Sequence, residues 1–290
     1  MTASLGTTPE RHISLMGIGR GGCRIAQLVK ANYAFPGLRV IAADADADVL
    51  RQCSPDEIIH LGEQWTHGEG CGGDMDLGER CVSASSSDLR DLLQRSRLIF
   101  VAAGLGGGIG SAGARVLARL AREAAVPIVC LVTMPFSFEG GKRMGTAEQA
   151  LAMLRQETEA VIAVPNSLLF SRLPPDTPGT AAFSMASDLL AQALSGLARI
   201  CCAQGLLTAD LAGVKRIVRR PGSTCAIAIG CGQGENAADE AIQNFLDSPF
   251  VGGEHSLHDV DAALLTLLGG DELLIRSVQD CLGKLQSRFP

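Results

Sequence analysis

The chain has no apolar run of the ~18 residues that a membrane-spanning helix needs. Its first residues, MTASLGTTPER, are polar and hold no apolar signal core, so 1–11 reads as a disordered N-terminus and the protein as cytoplasmic. Positive charge is not in surplus. Lys and Arg total 25 against 31 Asp and Glu, a net charge of −6, which disfavours nucleic acid as a partner. None of the ten cysteines forms a Cys-x-x-Cys pair, so the paired spacing of zinc fingers is missing and no metal site is read. They read as reduced, mostly buried, small apolar residues. His255 and His258 form a lone His-x-x-His and read as surface histidines. Internal repeats and low-complexity tails are also missing.

Apolar residues are plentiful at 47% against 19% charged, enough for a real core. Glycine is in excess: 34 in 290 residues is about 12%, against a usual ~7%. The glycines are clustered, which marks loops.

Short β-branched runs alternate with helical patterns over the first two thirds. Strands are expected at Ile13–Met16, Leu38–Ala43, Glu57–His60, Leu98–Ala102, Ile128–Thr133 and Val161–Val164. Helices are expected at Cys23–Tyr33, Ser87–Arg95, Gly113–Ala125 and Lys142–Glu157. That rhythm implies an α/β fold, a Rossmann-like parallel sheet covered on both faces. A proline-rich loop follows Phe170. Ala181–Cys202 then reads as a long, largely apolar helix buried between layers. A strand (Cys225–Ile229), a helix (Asn236–Leu246), a strand (Ala262–Leu268) and a helix (Glu272–Gln286) make a small α+β unit. The expected division is 12–179 for the nucleotide-binding domain, 180–203 for the connecting helix and 204–290 for the second domain.

The first strand runs into Gly17-Ile-Gly19-Arg-Gly21-Gly22 and then a helix. Glycine permits positive φ and close approach of backbone amides to an anion, and the helix start adds a positive dipole end. Gly17, Gly19 and Gly22 also match Gly-x-Gly-x-x-Gly, with Asp44 closing the next strand where a ribose-binding acid would sit, so a dinucleotide enzyme is a rival on these residues. The second loop separates the two. Gly104, Gly106, Gly107, Gly108 and Gly110 supply five glycines in seven positions before another helix. Two glycine loops on one sheet edge suit a nucleoside triphosphate, whereas a dinucleotide fold needs only the first.

With these loops in hand, the sequence resembles the tubulin/FtsZ superfamily, and within it bacterial FtsZ, over roughly residues 12 to 285. Gly17–Cys23 looks like the first phosphate loop, Leu61 through Gly72 the third, and Gly106–Ser111 the tubulin signature loop. Val132-Thr-Met-Pro135-Phe136-Ser-Phe138-Glu139-Gly-Gly-Lys-Arg143-Met144 is nearly the family's text; Val164-Pro165-Asn166 and Ala182-Phe183 follow in the same order. The resemblance implies binding of GTP or GDP, with Mg2+ beside the phosphates, and head-to-tail assembly into a protofilament or dimer. It implies phosphate contacts from Gly19, Arg20, Gly21, Gly22, Cys23, Arg24, Gly72, Gly106, Gly107, Gly108, Ile109 and Gly110. Glu139 is implied on the ribose, Arg143 beside the nucleotide, Phe183 stacked on guanine, and Asn166 and Ser187 at its edge.

Departures from the family pattern carry their own expectations. Arg20 replaces a glycine, Arg24 an asparagine, Ile109 the threonine facing the terminal phosphates, Asp44 an asparagine, and Ser187 the Asp or Asn that reads guanine. Each change alters a polar contact, and a hydrogen bond to a charged group is worth ~1.5–3 kcal/mol; either arginine could offset part of this by pairing with phosphate. The catalytic loop, Asn-x-Asp-x-x-Asp in the family, is Thr208-Ala-Asp210-Leu-Ala-Gly213 here, so Asp210 is the remaining catalytic carboxylate and hydrolysis is expected to be weak or lost. The second domain reads as shortened, without the usual partner-binding tail. The resemblance thus implies an FtsZ-like self-assembling protein in cell division or membrane remodelling. The alternative is a non-hydrolysing regulatory or structural subunit that co-assembles with or caps a true FtsZ, or meets a membrane-associated protein. In the last helix, Leu274, Val278, Cys281, Leu282, Leu285 and Phe289 share one face and read either as core or as an attachment surface.

Overall fold

A computed structural model describes residues 12–158, 160–170, 176–202, 227–234, 236–248 and 273–286, with isolated positions 265, 267, 269 and 270. Its centre is a parallel sheet of β1 (His12–Ile18), β2 (Leu38–Asp44), β3 (Glu57–His60), β4 (Ser96–Gly104), β5 (Ile128–Met134) and β6 (Val161–Pro165). The order is β3-β2-β1-β4-β5-β6. All six expected strands form, extended by a residue or more at most ends.

The strands are apolar on both faces because both are covered. In β4, Ile99, Val101 and Ala103 face one core and Leu98, Phe100 and Ala102 the other, and β1 and β5 alternate in the same way. Complete burial of a side chain such as Phe100 is worth ~1.5–3 kcal/mol. One face carries α4 (Met75–Ala84), α5 (Ser86–Gln94), α6 (Gly108–Glu123) and α7 (Gly141–Glu157). The other carries α1 (Gly19–Leu28), its π-helical continuation Val29–Tyr33, and α9 (Gly179–Cys202). Tyr33 fastens α9: its hydroxyl donates to Asp188 at 2.9 Å and its carbonyl accepts from Ser195 at 2.9 Å.

Because α1 and α6 leave adjacent strands for opposite faces, a crevice opens between the ends of β1 and β4. This is the topological switch point where open α/β sheets take ligands. Short helices α2 (Ala47–Arg51), α3 (Glu63–Thr66) and α8 (Asn166–Phe170) line the same edge.

Several boundaries differ from the sequence reading. Helix α1 begins at Gly19 instead of Cys23, and α6 at Gly108 instead of Gly113. Glycines that look like loop therefore form first helical turns, because their missing side chains let the helices start hard against the sheet. Toward the C-terminus, α10 (Ala237–Leu246) packs on α11 (Ile275–Gln286). The strand expected at Cys225–Ile229 is not formed over its described part, 227–229. A strand needs a paired neighbour, and the candidate at 262–268 falls largely outside the described residues. Within α11, Cys281 and Leu285 are buried, Val278 is half-buried and Leu282 is exposed, as is Leu274 just before the helix, so the expected apolar face is only partly covered. The N-terminal segment 1–11, Phe289, His255, His258 and the loop with Thr208, Asp210 and Gly213 lie outside the described residues.

Candidate functional site

Helix starts expose amide N–H groups that have no carbonyl four residues earlier to bond. In α2 and α4 aspartates satisfy them: Asp46 accepts from the amides of Asp48 and Val49, and Asp74 from that of Leu77. Helices α1 and α6 differ. Their N-caps are Ile18 and Gly107, neither offers a capping side chain, and neither first turn holds an acidic residue. The amides of Gly19, Arg20 and Gly21, and of Gly107, Gly108, Ile109 and Gly110, precede each helix's own ladder. From Gly22 onward the ladder of α1 takes up the amides, so those of Gly22, Cys23 and Arg24 are less accessible than the family correspondence implies.

The two starts touch. Gly19 has φ +74°, and a Cβ there would lie 2.9 Å from the Gly110 nitrogen. A Cβ on Gly22 would meet the Ala102 carbonyl at 2.1 Å, and one on Gly110 the Gly104 carbonyl at 2.2 Å. Much of the glycine signal is thus close packing, which carries the bare amides to the crevice floor. Only Gly107 of the second loop faces open space.

The other segments converge on this pair. A Cβ on Gly108 would strike Asp74 and Cys71 in the third loop, and one on Gly106 would strike Arg143 and Pro135. Gly72, with φ +54°, sits exposed in the third loop with nothing near its Cβ position. Ser111 stabilises the turn, its hydroxyl accepting from the Gly106 amide at 3.0 Å.

Several side chains are already committed. Ile109 is buried in the core, so at this position only backbone reaches the crevice. The Cys23 thiol points inward, donating toward the carbonyls of Gly17 and Ala43. Arg20 is exposed but pairs with Asp46 at 2.8 Å, while Arg24 is exposed and makes no ion pair among the described residues. Asp44 is buried, its carboxylate accepting from the amides of Ala45 and Asp46. Burial pushes its carboxyl above the usual aspartate range, although those two hydrogen bonds oppose the shift. An aspartate spent this way is not presented to a ribose, which removes the main support for a dinucleotide site.

The far side of the crevice is built from side chains. Glu139 accepts from the Phe136 amide at 2.8 Å and pairs with Arg143 at 3.1 Å. Phe136 is buried, stacks on exposed Phe138 with centroids 4.9 Å apart, and meets Phe183 edge-to-face at 5.0 Å. Phe183 is 40% exposed. Ser187, one turn on, donates its hydroxyl to the Phe183 carbonyl at 2.8 Å. Asn166 opens α8 directly after Pro165, which pairs in register with Met134, so it reaches the same edge as Pro135.

Two participants were missed by sequence reasoning. Asp46 holds Arg20, and its signal was the Asp-x-Asp-x-Asp run of Asp44, Asp46 and Asp48 at a strand end. Phe136 anchors Phe183; it was visible in the Phe136–Arg143 text but was given no role.

Comparison with known proteins agrees with this architecture. Residues 12–173 match the family model "Tubulin/FtsZ family, GTPase domain". The chain is 30% identical over 277 residues to the cell division protein FtsZ 1 of Methanocaldococcus jannaschii, covering 96% of this chain and 75% of that protein. A solved structure of an empty FtsZ dimer from M. jannaschii superposes with a TM-score of 0.85 at 30% identity, covering 96% of this chain and 80% of the other. The GTPγS-bound protofilament of CetZ2 from Haloferax volcanii superposes at 0.68 and 25% identity, over 80% of this chain and 70% of that one. With two bare helix starts meeting at the switch point of a 3-2-1-4-5-6 sheet, and with these matches along most of its length, the chain belongs to the tubulin/FtsZ family.

Proposed function

We propose that this protein binds a guanine nucleotide in the crevice between β1 and β4 and assembles head to tail with further copies of itself. The observation that carries the reading is the contact of two uncapped helix starts at Gly19 and Gly110, which places unpaired amides from both helices at one point. Such a pair of dipole ends suits the adjacent phosphates of a nucleoside di- or triphosphate. The phosphates take the amides of Gly19–Gly21 and Gly107–Gly110, with Gly72 and Gly106 shaping the walls. The base stacks on Phe183, with Asn166 and Ser187 at its edge, and Glu139 with Arg143 serves the ribose. Mg2+ would neutralise the terminal phosphates. The relatives' names support a role in cell division or in a protofilament; a cytoplasmic location and membrane remodelling are part of the same proposal.

Hydrolysis is proposed to be slow. Asp210 of one copy would polarise water in the site of the next, but Thr208 and Gly213 replace family Asn and Asp, and a missing partner commonly lowers such rates ~10²–10⁴-fold. Burial of Ile109 points the same way, since no side-chain hydroxyl there faces the phosphates. These two observations also favour a second reading, a non-hydrolysing subunit that co-assembles with or caps a true FtsZ.

The test is titration of purified protein with GTP, GDP and ATP, followed by turnover across a range of protein concentrations. Trp65, the sole tryptophan and 51% exposed on α3, is the fluorescence reporter. The expected result is tighter binding of GTP than ATP, weakened by Asn166→Ala, with turnover per chain rising with concentration and lost in Asp210→Ala. Equal binding of both nucleotides, unaffected by Asn166→Ala, overturns the base assignment. Turnover per chain that is constant on dilution overturns a site shared between copies. Binding without turnover, together with co-sedimentation with filaments of a true FtsZ, selects the second reading.

A further inference from the structure

The described cysteines are all free, and two of them meet. Cys71 lies in the third loop and Cys81 on α4, and their sulfurs are 3.8 Å apart. Each thiol has one proton, and the two protons run in a chain. Cys71 donates to the Cys81 sulfur, and Cys81 donates toward the Gly62 carbonyl at 3.9 Å. Cys23 and Cys53 are arranged differently. Cys23 donates toward the carbonyls of Gly17 and Ala43, and Cys53 toward those of Val49 and Cys23.

We propose that Cys71 and Cys81 are an oxidisable dithiol, which exchange with a low-molecular-weight disulfide converts into a bond that staples the third loop to α4. The sulfurs are already in contact, so closing a bond of ~2 Å needs only about 2 Å of approach. Cys81 is fixed. A Cβ on Gly62 would lie 2.4 Å from the Cys81 Cα, and one on Gly78 of the same helix 2.5 Å from the Gly108 carbonyl, so α4 is wedged between Gly62 and α6. Cys71 has room to move. Gly70, Gly72 and Gly73 beside it all have positive φ, and a Cβ on Gly72 or Gly73 would meet nothing within 4 Å.

Access sets the order of attack. Cys81 is fully enclosed, whereas Cys71 retains 8% exposure and is followed by exposed Gly72, Gly73 and Asp74. In the first step the Cys71 sulfur, its proton lost, attacks one sulfur of the small disulfide. An S–S bond forms to Cys71, the old S–S bond breaks, and the other half leaves as a thiolate that takes up a proton. In the second step the Cys81 sulfur attacks the Cys71 sulfur. The Cys71–Cys81 bond forms, the mixed disulfide breaks, and the second small thiol leaves with the Cys81 proton. The pair gives up two electrons and two protons, and the small disulfide becomes two thiols. Burial pushes Cys71 up to about 12 and raises Cys81. Thiolates are the nucleophiles, so the exchange is slow at neutral pH and faster in mild alkali.

The same closure moves the third loop. A Cβ on Gly108 would lie 2.8 Å from the Cys71 Cβ, so Cys71 packs on the first turn of α6. Drawing Cys71 toward Cys81 shifts that contact and shifts Gly72 beside it. On the nucleotide reading above, on which this consequence rests, the disulfide form binds GTP several-fold more weakly.

The test incubates the reduced full-length chain with reduced and oxidised glutathione at pH 8.5, quenches with N-ethylmaleimide in urea, and maps the peptides by mass. A linked Cys71–Cys81 peptide is expected, reversed by dithiothreitol and missing from Cys71→Ala, with fully buried Cys130 still alkylated. Cys81→Ser should leave Cys71 joined to glutathione; if that variant does not fold, the wild-type map and Cys71→Ala decide. Cys71 and Cys81 both alkylated after exposed Cys231 has taken up glutathione, or Cys23 linked to Cys53 in their place, overturns the dithiol. GTP affinity is then compared between the linked and the reduced protein. A several-fold loss is expected, and equal affinity overturns the coupling to the crevice. A reduced protein that binds no GTP overturns the nucleotide reading instead and leaves the peptide map to decide the dithiol.

Discussion

The proposed phosphate end and the proposed base end of the crevice are built on opposite plans. At the proposed phosphate end the candidate groups are backbone amides, placed by glycines whose hydrogens leave no room for a methyl, as where Gly22 meets Ala102 and Gly110 meets Gly104. At the proposed base end the candidate groups are side chains, Phe183, Asn166, Glu139 and Arg143, on segments that carry an aromatic contact and an ion pair. The first plan ties recognition to folding. The second lets side chains change while the fold persists, as at Ser187; at the first, the departures at Arg20, Arg24 and Ile109 leave the backbone amides in place.

The largest expected effect comes from breaking the first plan. Gly22→Ala places a methyl onto the Ala102 carbonyl, 2.1 Å from its ideal position, and should destabilise the domain by ~3 kcal/mol. Urea unfolding measures this. Gly107→Ala is the contrast, since its Cβ meets nothing and φ is −104°. It should unfold with the wild-type midpoint, and similar losses in both variants would mean that the close contacts at Gly22 do not govern folding.

Phe183→Ala should do the reverse at the base end. The ring is partly exposed and touches Phe136 by an edge. Its loss should leave the unfolding midpoint within ~1.5 kcal/mol of wild type and weaken nucleotide about tenfold, with GTP binding followed by Trp65 fluorescence. A collapse in stability with affinity kept in the folded fraction would make Phe183 a core residue and erase the contrast between the two ends.

This contrast also explains what the sequence disclosed. All six strands were legible, because runs such as Leu98–Ala102 are apolar on both faces and carry no competing helical period. The glycine loops announced a close backbone site, but not where the helices begin: glycine is a poor helix former by propensity, and only the sheet shows that Gly108 and Gly110 are inside α6. The short helices α2 and α4 escaped because their signal is one capping aspartate each. Arg20 was legible as a departure but not as half of an ion pair, because its partner lies 26 residues away on another loop.

That ion pair gives a smaller effect at the boundary between the two plans. Arg20 is a side chain on the backbone-built loop and is held by Asp46. If its guanidinium exchanges Asp46 for phosphate, Arg20→Ala should weaken GTP several-fold, more at low salt than at high. Asp46→Asn should strengthen GTP while keeping the α2 cap, since asparagine caps equally well. Isothermal titration at two salt concentrations checks both, and unchanged affinity in both variants would show the pair to be purely local.

The smallest effect concerns Asp44, a charged side chain buried beneath the backbone-built end. Burial raises its carboxyl, Asp46 adds to the shift, and the amides of Ala45 and Asp46 and the guanidinium of Arg20 oppose it. A carboxyl raised in the folded state binds its proton more tightly there than in the unfolded chain. Stability therefore falls as pH rises from the ordinary aspartate value through the raised one, and at neutral pH the folded protein carries the cost of an ionised buried group. Asp44→Asn removes that charge, and its amide oxygen can still accept from Ala45 and Asp46. Thermal unfolding at pH 7 should show the variant ~2–4 °C more stable, in keeping with ~1 kcal/mol for a chain of this size. The gap should close as pH is lowered toward the ordinary aspartate range, where the wild-type carboxyl is protonated in both states. A variant less stable at pH 7 would mean that the two amide hydrogen bonds need a full charge, and that even the side chains beneath the phosphate end are fixed by its backbone.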